Sequence, residues 1–86
     1  MKKKIKLIIF TVKGKVFEEE VEEVVVNLDE GKRVITEGCS SLVDTIESGN
    51  IKIINDDTEI NFEIKSGVLK VNDKEIMLLT YDALKI

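Results

Sequence analysis

Eighty-six residues with 13 basic and 17 acidic side chains, no histidine, no proline and one cysteine set the first bounds. A chain of this size buries roughly 60–65% of its unfolded surface, enough for one modest core, so residues 1–86 are expected to form one domain. The net charge of −4 gives no basic footprint for nucleic acid or an anionic membrane surface, so neither is an expected partner.

From the N-terminus, MKKK followed by apolar residues imitates a secretory leader, but Lys6 interrupts the run and residues 7–12 are too short for a leader's apolar segment. No stretch approaches the ~20 apolar residues of a membrane helix, so a soluble, intracellular chain without direct membrane insertion is expected. A lone Cys39 allows no intrachain disulfide and agrees with a reducing compartment. Residues 5–12 predict a strand, closed by a turn at Lys13-Gly14.

The acid-rich run GKVFEEEVEEVVV, residues 14–26, is ambiguous in isolation. Val21, Val24 and Val25 have helical spacing, whereas Val16, Phe17 and the valine triplet favour a pleated surface. A helix would stack Glu18 on Glu22 and Glu19 on Glu23, like charges at i, i+4. Residues 1–15 hold six lysines and no acid, and residues 16–31 hold seven acids and no base. A hairpin at Lys13-Gly14 would set these opposite charges side by side, and the strand is the expectation. Phe17 and Val21 fall on one face, Val24, Val26 and Leu28 on the other, so a β-bulge near Glu22-Glu23 is expected to restore the phase.

Residues 40–49 admit one helical turn but are taken as strand. Strands are also predicted at 51–54, 58–65, 68–71 and 76–81, separated by Ser48-Gly49-Asn50, Asn55-Asp56-Asp57, Ser66-Gly67 and Asn72-Asp73. The clearest is TEINFEIK, where Ile60, Phe62 and Ile64 alternate with polar residues. Turns at such short spacing predict an all-β, two-layer antiparallel sandwich of about ten short strands. No repeat, linker or low-complexity tract is visible.

Chemistry is sparse. Without histidine the chain lacks the side chain best suited to proton transfer near neutral pH. Cys39 in EGCSS has no histidine partner and reads as an ordinary thiol; the glutamates at 18–23 read as a solvated strand face. NDDTE, residues 55–59, lacks the ligand number and central glycine of a calcium loop, and the five glycines form no phosphate-cradling pattern. No catalytic residue, cofactor or metal is expected.

Apolar residues, by contrast, are in excess. In KEIMLLTY both Ile76, Leu78 and the opposite set Met77, Leu79, Tyr81 are apolar; in KLIIFTV, Leu7 and Ile9 fill one face and Ile8 and Phe10 the other. If the interior takes one set, the other lies outside, either covered by loops or forming a protein-docking surface.

The order of these segments resembles the N-terminal β-sandwich domain of the epsilon subunit of F-type ATP synthase. KIKLIIFTVKGKVFEEEVEEVVV is similar to that family's strand, glycine turn and V-F-x-x-x-V-x-x-V-V opening. LVDTIESGNIKI matches its L-V-x-x-I-x-x-G-x-I-x-I pattern, and IKSGVLKVNDKEIMLLT resembles the segment near the domain's end. The resemblance covers residues 4–82. It implies two five-stranded sheets and a non-catalytic rotor part of the central stalk, associated with the inner membrane through the complex. Its partners would be the gamma subunit, through a sheet face such as Ile8, Phe10, Met77, Leu79 and Tyr81, and the ring of c subunits. The c-ring loop would correspond to Glu30, Gly31, Lys32 and Arg33 onward, with Glu37, Gly38, Cys39, Ser40 and Ser41.

There the family usually carries G-V-L-P-x-H-A-P, whereas this chain has VITEGCSS, with Cys39 where the histidine would fall. The two C-terminal helices that restrain ATP hydrolysis in the family would begin where YDALKI ends; coupling without that brake is the expectation. The alternative from another class is a free-standing β-sandwich adaptor for a different partner, with homodimerisation as one form.

Overall fold

The computed structural model describes residues 3–28 and 31–86, and among them finds eight strands and no helix. In chain order these are β1 (Ile5–Thr11), β2 (Gly14–Val21), β3 (Glu23–Leu28), β4 (Gly31–Ile35), β5 (Leu42–Ile46), β6 (Gly49–Asn55), β7 (Thr58–Val71) and β8 (Glu75–Lys85). Hydrogen bonding follows β2-β1-β8-β7-β6-β3-β4, with β5 on β7.

Two of these strands serve both layers. The first layer is β5, residues 67–71 of β7, residues 75–80 of β8, β1 and β2. The second is residues 82–85 of β8, residues 58–65 of β7, β6, β3 and β4. Each layer has five segments, so the expected ten short strands are present as eight continuous ones, two of them bent between layers. All pairings are antiparallel except β1 with β8, which run parallel. Sequence spacing held no sign of that pair, because its members lie at opposite ends of the chain.

Ser66-Gly67, expected to be a turn between strands, is instead the corner within β7. Ser66 has φ 41°, a left-handed conformation. Gly67 lies so close to β8 that an added Cβ would sit 2.6 Å from the Leu79 carbonyl oxygen. Thr80, buried opposite, places its Oγ1 at 2.6 Å from the Lys65 carbonyl, 2.8 Å from that of Ser66 and 3.1 Å from that of Asp82. Its single proton can serve one of these acceptors at a time.

The acidic run is strand, as the opposed charges of its neighbours required. Lys6 Nζ lies 3.0 Å from Glu18 Oε2, and Lys15 Nζ 2.5 Å from Glu18 Oε1. Lys15 foremost and then Lys6 hold the Glu18 carboxyl below its ordinary range, and Glu18 in turn raises Lys6. The bulge, however, is not at Glu22-Glu23. Ile9 pairs with Phe17 and Phe10 with Lys15, which leaves Val16 as the extra residue. At Glu22 the chain instead changes layers: Val21 pairs with Ile5 in the first, Glu23 with Ile54 in the second. The phase change seen in the sequence is therefore a crossing, because one residue between two layers reverses which face is inside.

Inward side chains of both layers meet in one cluster. Ile5, Leu7, Ile9, Leu69, Ile76 and Leu78 come from the first layer, and Val24, Val26, Ile51, Ile53, Phe62 and Ile64 from the second. Phe17 packs edge-on against Phe62 across the layers, with ring centroids 5.7 Å apart.

Candidate partner-binding surfaces

Alternation along a strand sends every second side chain outward, and the parallel β1–β8 pair brings the two outward apolar sets into one patch. Ile8 pairs with Met77 and Phe10 with Leu79. Extending each row across β7 and β5 adds Val68 beside Leu79, Lys70 beside Met77, Val43 beside Lys70 and Thr45 beside Val68. The result is a face of Phe10, Met77, Leu79, Val68 and Val43 on one layer only. Leu79 is 55% exposed and Val43 69%, which is far from a covered core.

Ile8 is the correction within this set. It is 8% exposed, set in a central strand between the long side chains of Met77 and Glu18. It supports the surface from below rather than presenting itself. Phe10 and Met77 are half-buried, so the accessible part is carried by Leu79, Tyr81, Val68 and Val43. Tyr81, 68% exposed, lies past the corner; with Thr11, Val12, Leu79 and Thr80 it lines a shallow depression of about 410 Å³. Val12, Val43 and Val68 were not singled out from the sequence; Val43 and Val68 have the outward parity of strands beside the apolar runs, and Val12 lies in the turn after β1.

The other layer's outer face is more polar. One row reads Val34, Val25, Lys52 and Asn61 across β4, β3, β6 and β7. The next pairs Lys32 with Asn27, and Asn27 Nδ2 donates to the Asn50 carbonyl at 3.2 Å. Exposed apolar residues on this face stand at its two edges, Val34 on β4 and Leu84 and Ile86 at the C-terminal end, with Lys52 and Asn61 between them.

The expected loop of residues 30–41 is split. Glu30 lies outside the described residues. Gly31, Lys32 and Arg33 are in β4, held to β3 by pairing of Leu28 with Gly31 and Val24 with Ile35. Four steps of ~3.3 Å separate Gly31 from Ile35 by about 13 Å, so Gly31 and Glu37 belong to opposite ends of β4. The valine run of β3 needs a partner strand on its open edge, and residues 31–35 supply it.

The second part, residues 36–41, is an anchored turn. Glu37 meets Lys3 at 3.7 Å, Gly38 N donates to the Asp73 carbonyl at 3.2 Å, and Cys39 N to that of Thr36 at 3.3 Å. Gly38 has φ 82°, which glycine adopts without strain. Cys39 is part-buried against the core with its Sγ 4.0 Å from the Asn72 carbonyl, while Ser40 and Ser41 are exposed.

Among the described residues, no group of three or more histidine, cysteine, aspartate or glutamate side chains is arranged to hold a metal ion. No helix of the described residues is long and apolar enough to cross a membrane.

A profile of the family described as ATP synthase, Delta/Epsilon chain, beta-sandwich domain matches residues 4–86. The chain belongs to the ATP synthase delta/epsilon family. It is 36% identical over 80 residues to the ATP synthase epsilon chain of Clostridium novyi (strain NT). That match covers 92% of this chain and 61% of the relative, so the chain spans about three-fifths of the relative's length. Among solved structures, a chain of the Euglena gracilis mitochondrial ATP synthase, from an assembly that includes the c-ring, superposes with TM-score 0.90 at 19% identity. The superposition covers 95% of this chain and 53% of that one. A chain of the Tetrahymena thermophila mitochondrial ATP synthase central stalk and c-ring gives TM-score 0.81 at 15% identity, covering 98% and 69%. At those identities the likeness is one of fold: the delta/epsilon β-sandwich with its two five-segment layers.

Proposed function

We propose that this delta/epsilon-family sandwich is a non-catalytic rotor component of the central stalk of an F-type ATP synthase. It would dock on the gamma subunit through the outer face of β1, β8 and β7, with Leu79 and Tyr81 as accessible anchors and Phe10 and Met77 as half-buried ones. Ile8 backs that face. Contact with the c-ring would come from one end of the sandwich, either the turn holding Glu37, Gly38, Cys39, Ser40 and Ser41 or the opposite end of β4 with Gly31, Lys32 and Arg33. The role is mechanical: it transmits torque between ion translocation and ATP synthesis, and holds the chain on the cytoplasmic side, peripheral to the inner membrane through its complex.

The observation that carries this reading is a continuous apolar face on one sheet of a family sandwich. Such a face is costly to leave in water on a small domain and marks an interface. Affinity purification of the tagged chain from its own cells, followed by mass spectrometry, tests it. Gamma and c subunits are expected in stoichiometric amounts. Recovery of the chain alone or as a homodimer, with neither subunit, contradicts the proposal and favours the adaptor reading.

A further inference from the structure

Charges around the apolar face are not distributed evenly. On the β2 side lysines and acids interleave: Glu18 sits between Lys6 and Lys15, and Lys6 also stands across the strands from Glu20 and Glu75. On the β7 side stands a single cation, Lys70. Its cross-strand neighbours are Val43 on β5 and Met77 on β8, and its own strand places Val68 two residues away on the same face. Asp44, the acid on the adjacent β5, alternates to the other face, and its Oδ1 accepts the Thr45 N–H at 2.8 Å; Glu75, on the outer face of β8 two residues from Met77, stands opposite Lys6 of β1. Among the described residues no ion pair or hydrogen bond engages the Lys70 ammonium.

A partner seated on Val43, Val68, Met77 and Leu79 must therefore take water from a lone ammonium. Desolvating an unpaired charge is unfavourable, whereas a facing carboxylate restores the loss and fixes register. The geometry points to an aspartate or glutamate on the covering surface, set among apolar residues and meeting Lys70. This rests on the docking of the gamma subunit through this face, and it assigns that subunit's contact patch its chemistry: apolar, with an acid opposite β7. Lys70 is then the specificity-determining charge of the interface, whereas the lysines of the β2 side already face acids of this chain, Glu18, Glu20 and Glu75.

Binding of the purified gamma subunit of the same complex, measured by calorimetry at low and high salt, tests the assignment on the wild type, Lys70→Arg, Lys70→Met, Lys70→Glu and Leu79→Asp. Lys70→Arg is expected to bind close to wild type. Lys70→Met is expected to weaken binding at least about tenfold by stranding the partner's carboxylate, Lys70→Glu further, and both with a shallower salt dependence. Lys70→Met binding as tightly as wild type, while Leu79→Asp loses binding, overturns the carboxylate and leaves the docking face standing. Leu79→Asp binding as wild type overturns both. Because Lys70 is exposed, unchanged circular dichroism is expected for all its variants.

Discussion

Gly67→Ala probes the corner on which the docking face depends. Two effects of opposite sign meet at this residue. Replacing glycine by alanine where the backbone allows it stabilises a protein by about 0.4–1 kcal/mol, through the unfolded chain. Here, though, the new Cβ would stand 2.6 Å from the Leu79 carbonyl oxygen and 3.2 Å from Thr80 Cα and Cβ, and the nearest of these is backbone. Overpacking of that kind costs about 1–3 kcal/mol. The clash outweighs the gain, and a net loss of about 1–2 kcal/mol is expected. For a domain of this size it lowers the melting temperature by about 4–16 °C. Urea unfolding and calorimetry read the change directly, with an unchanged denaturant slope if the native state stays compact. The displaced strand is also the one that carries Leu79, so weaker gamma binding should accompany the lost stability. A variant as stable as wild type, or more so, would refute the corner geometry, since only the stabilisation through the unfolded chain would then remain.

Three other substitutions probe the same sandwich. Thr80→Val keeps the shape of a buried side chain but removes the hydroxyl serving the Lys65, Ser66 and Asp82 carbonyls; a loss of about 1–3 kcal/mol in chemical denaturation is expected, and no loss would mean the carbonyls find other donors. Leu79→Asp on its own should change stability by less than about 0.5 kcal/mol because the side chain is already in water; unfolding would show it to be core. Glu18 has its carboxyl lowered in the folded state, so its contribution is present at neutral pH and is lost as pH falls through and below the ordinary carboxylate range. The stability difference between wild type and Glu18→Gln should therefore shrink below about pH 4 and also in high salt, since the groups are exposed; a difference independent of both pH and salt would contradict the ion-pair origin.

Much of the fold was legible because burial imposes a period of two. Ile60, Phe62 and Ile64 alternate as expected, and the lysine-rich and glutamate-rich segments pair as β1 and β2, where Lys6 reaches Glu18. Excess apolar residues in the first and last strands identified the candidate face, because a core can take only one side of each. Three features were hidden, each for a physical reason. Pairing of β1 with β8 joins segments from opposite ends of the chain, which no local pattern encodes. A turn and a strand corner use the same residues, so Ser66-Gly67 could not announce that β7 continues through it. The short GKRVI strand has no alternation long enough to stand out, and its place follows from the edge that β3 leaves open. Ile8 was assigned to the correct face with the wrong exposure, because parity gives direction and not what the neighbouring side chains cover.

Whether gamma sits on the apolar sheet is read most directly by site-specific photo-crosslinking within the purified ATP synthase, with the probe at position 79 on the apolar face or at position 61 on the polar one. A crosslink to the gamma subunit from 79 and none from 61 is the expected result. A crosslink from 61 with none from 79 would place gamma on the other sheet and contradict the docking face described above.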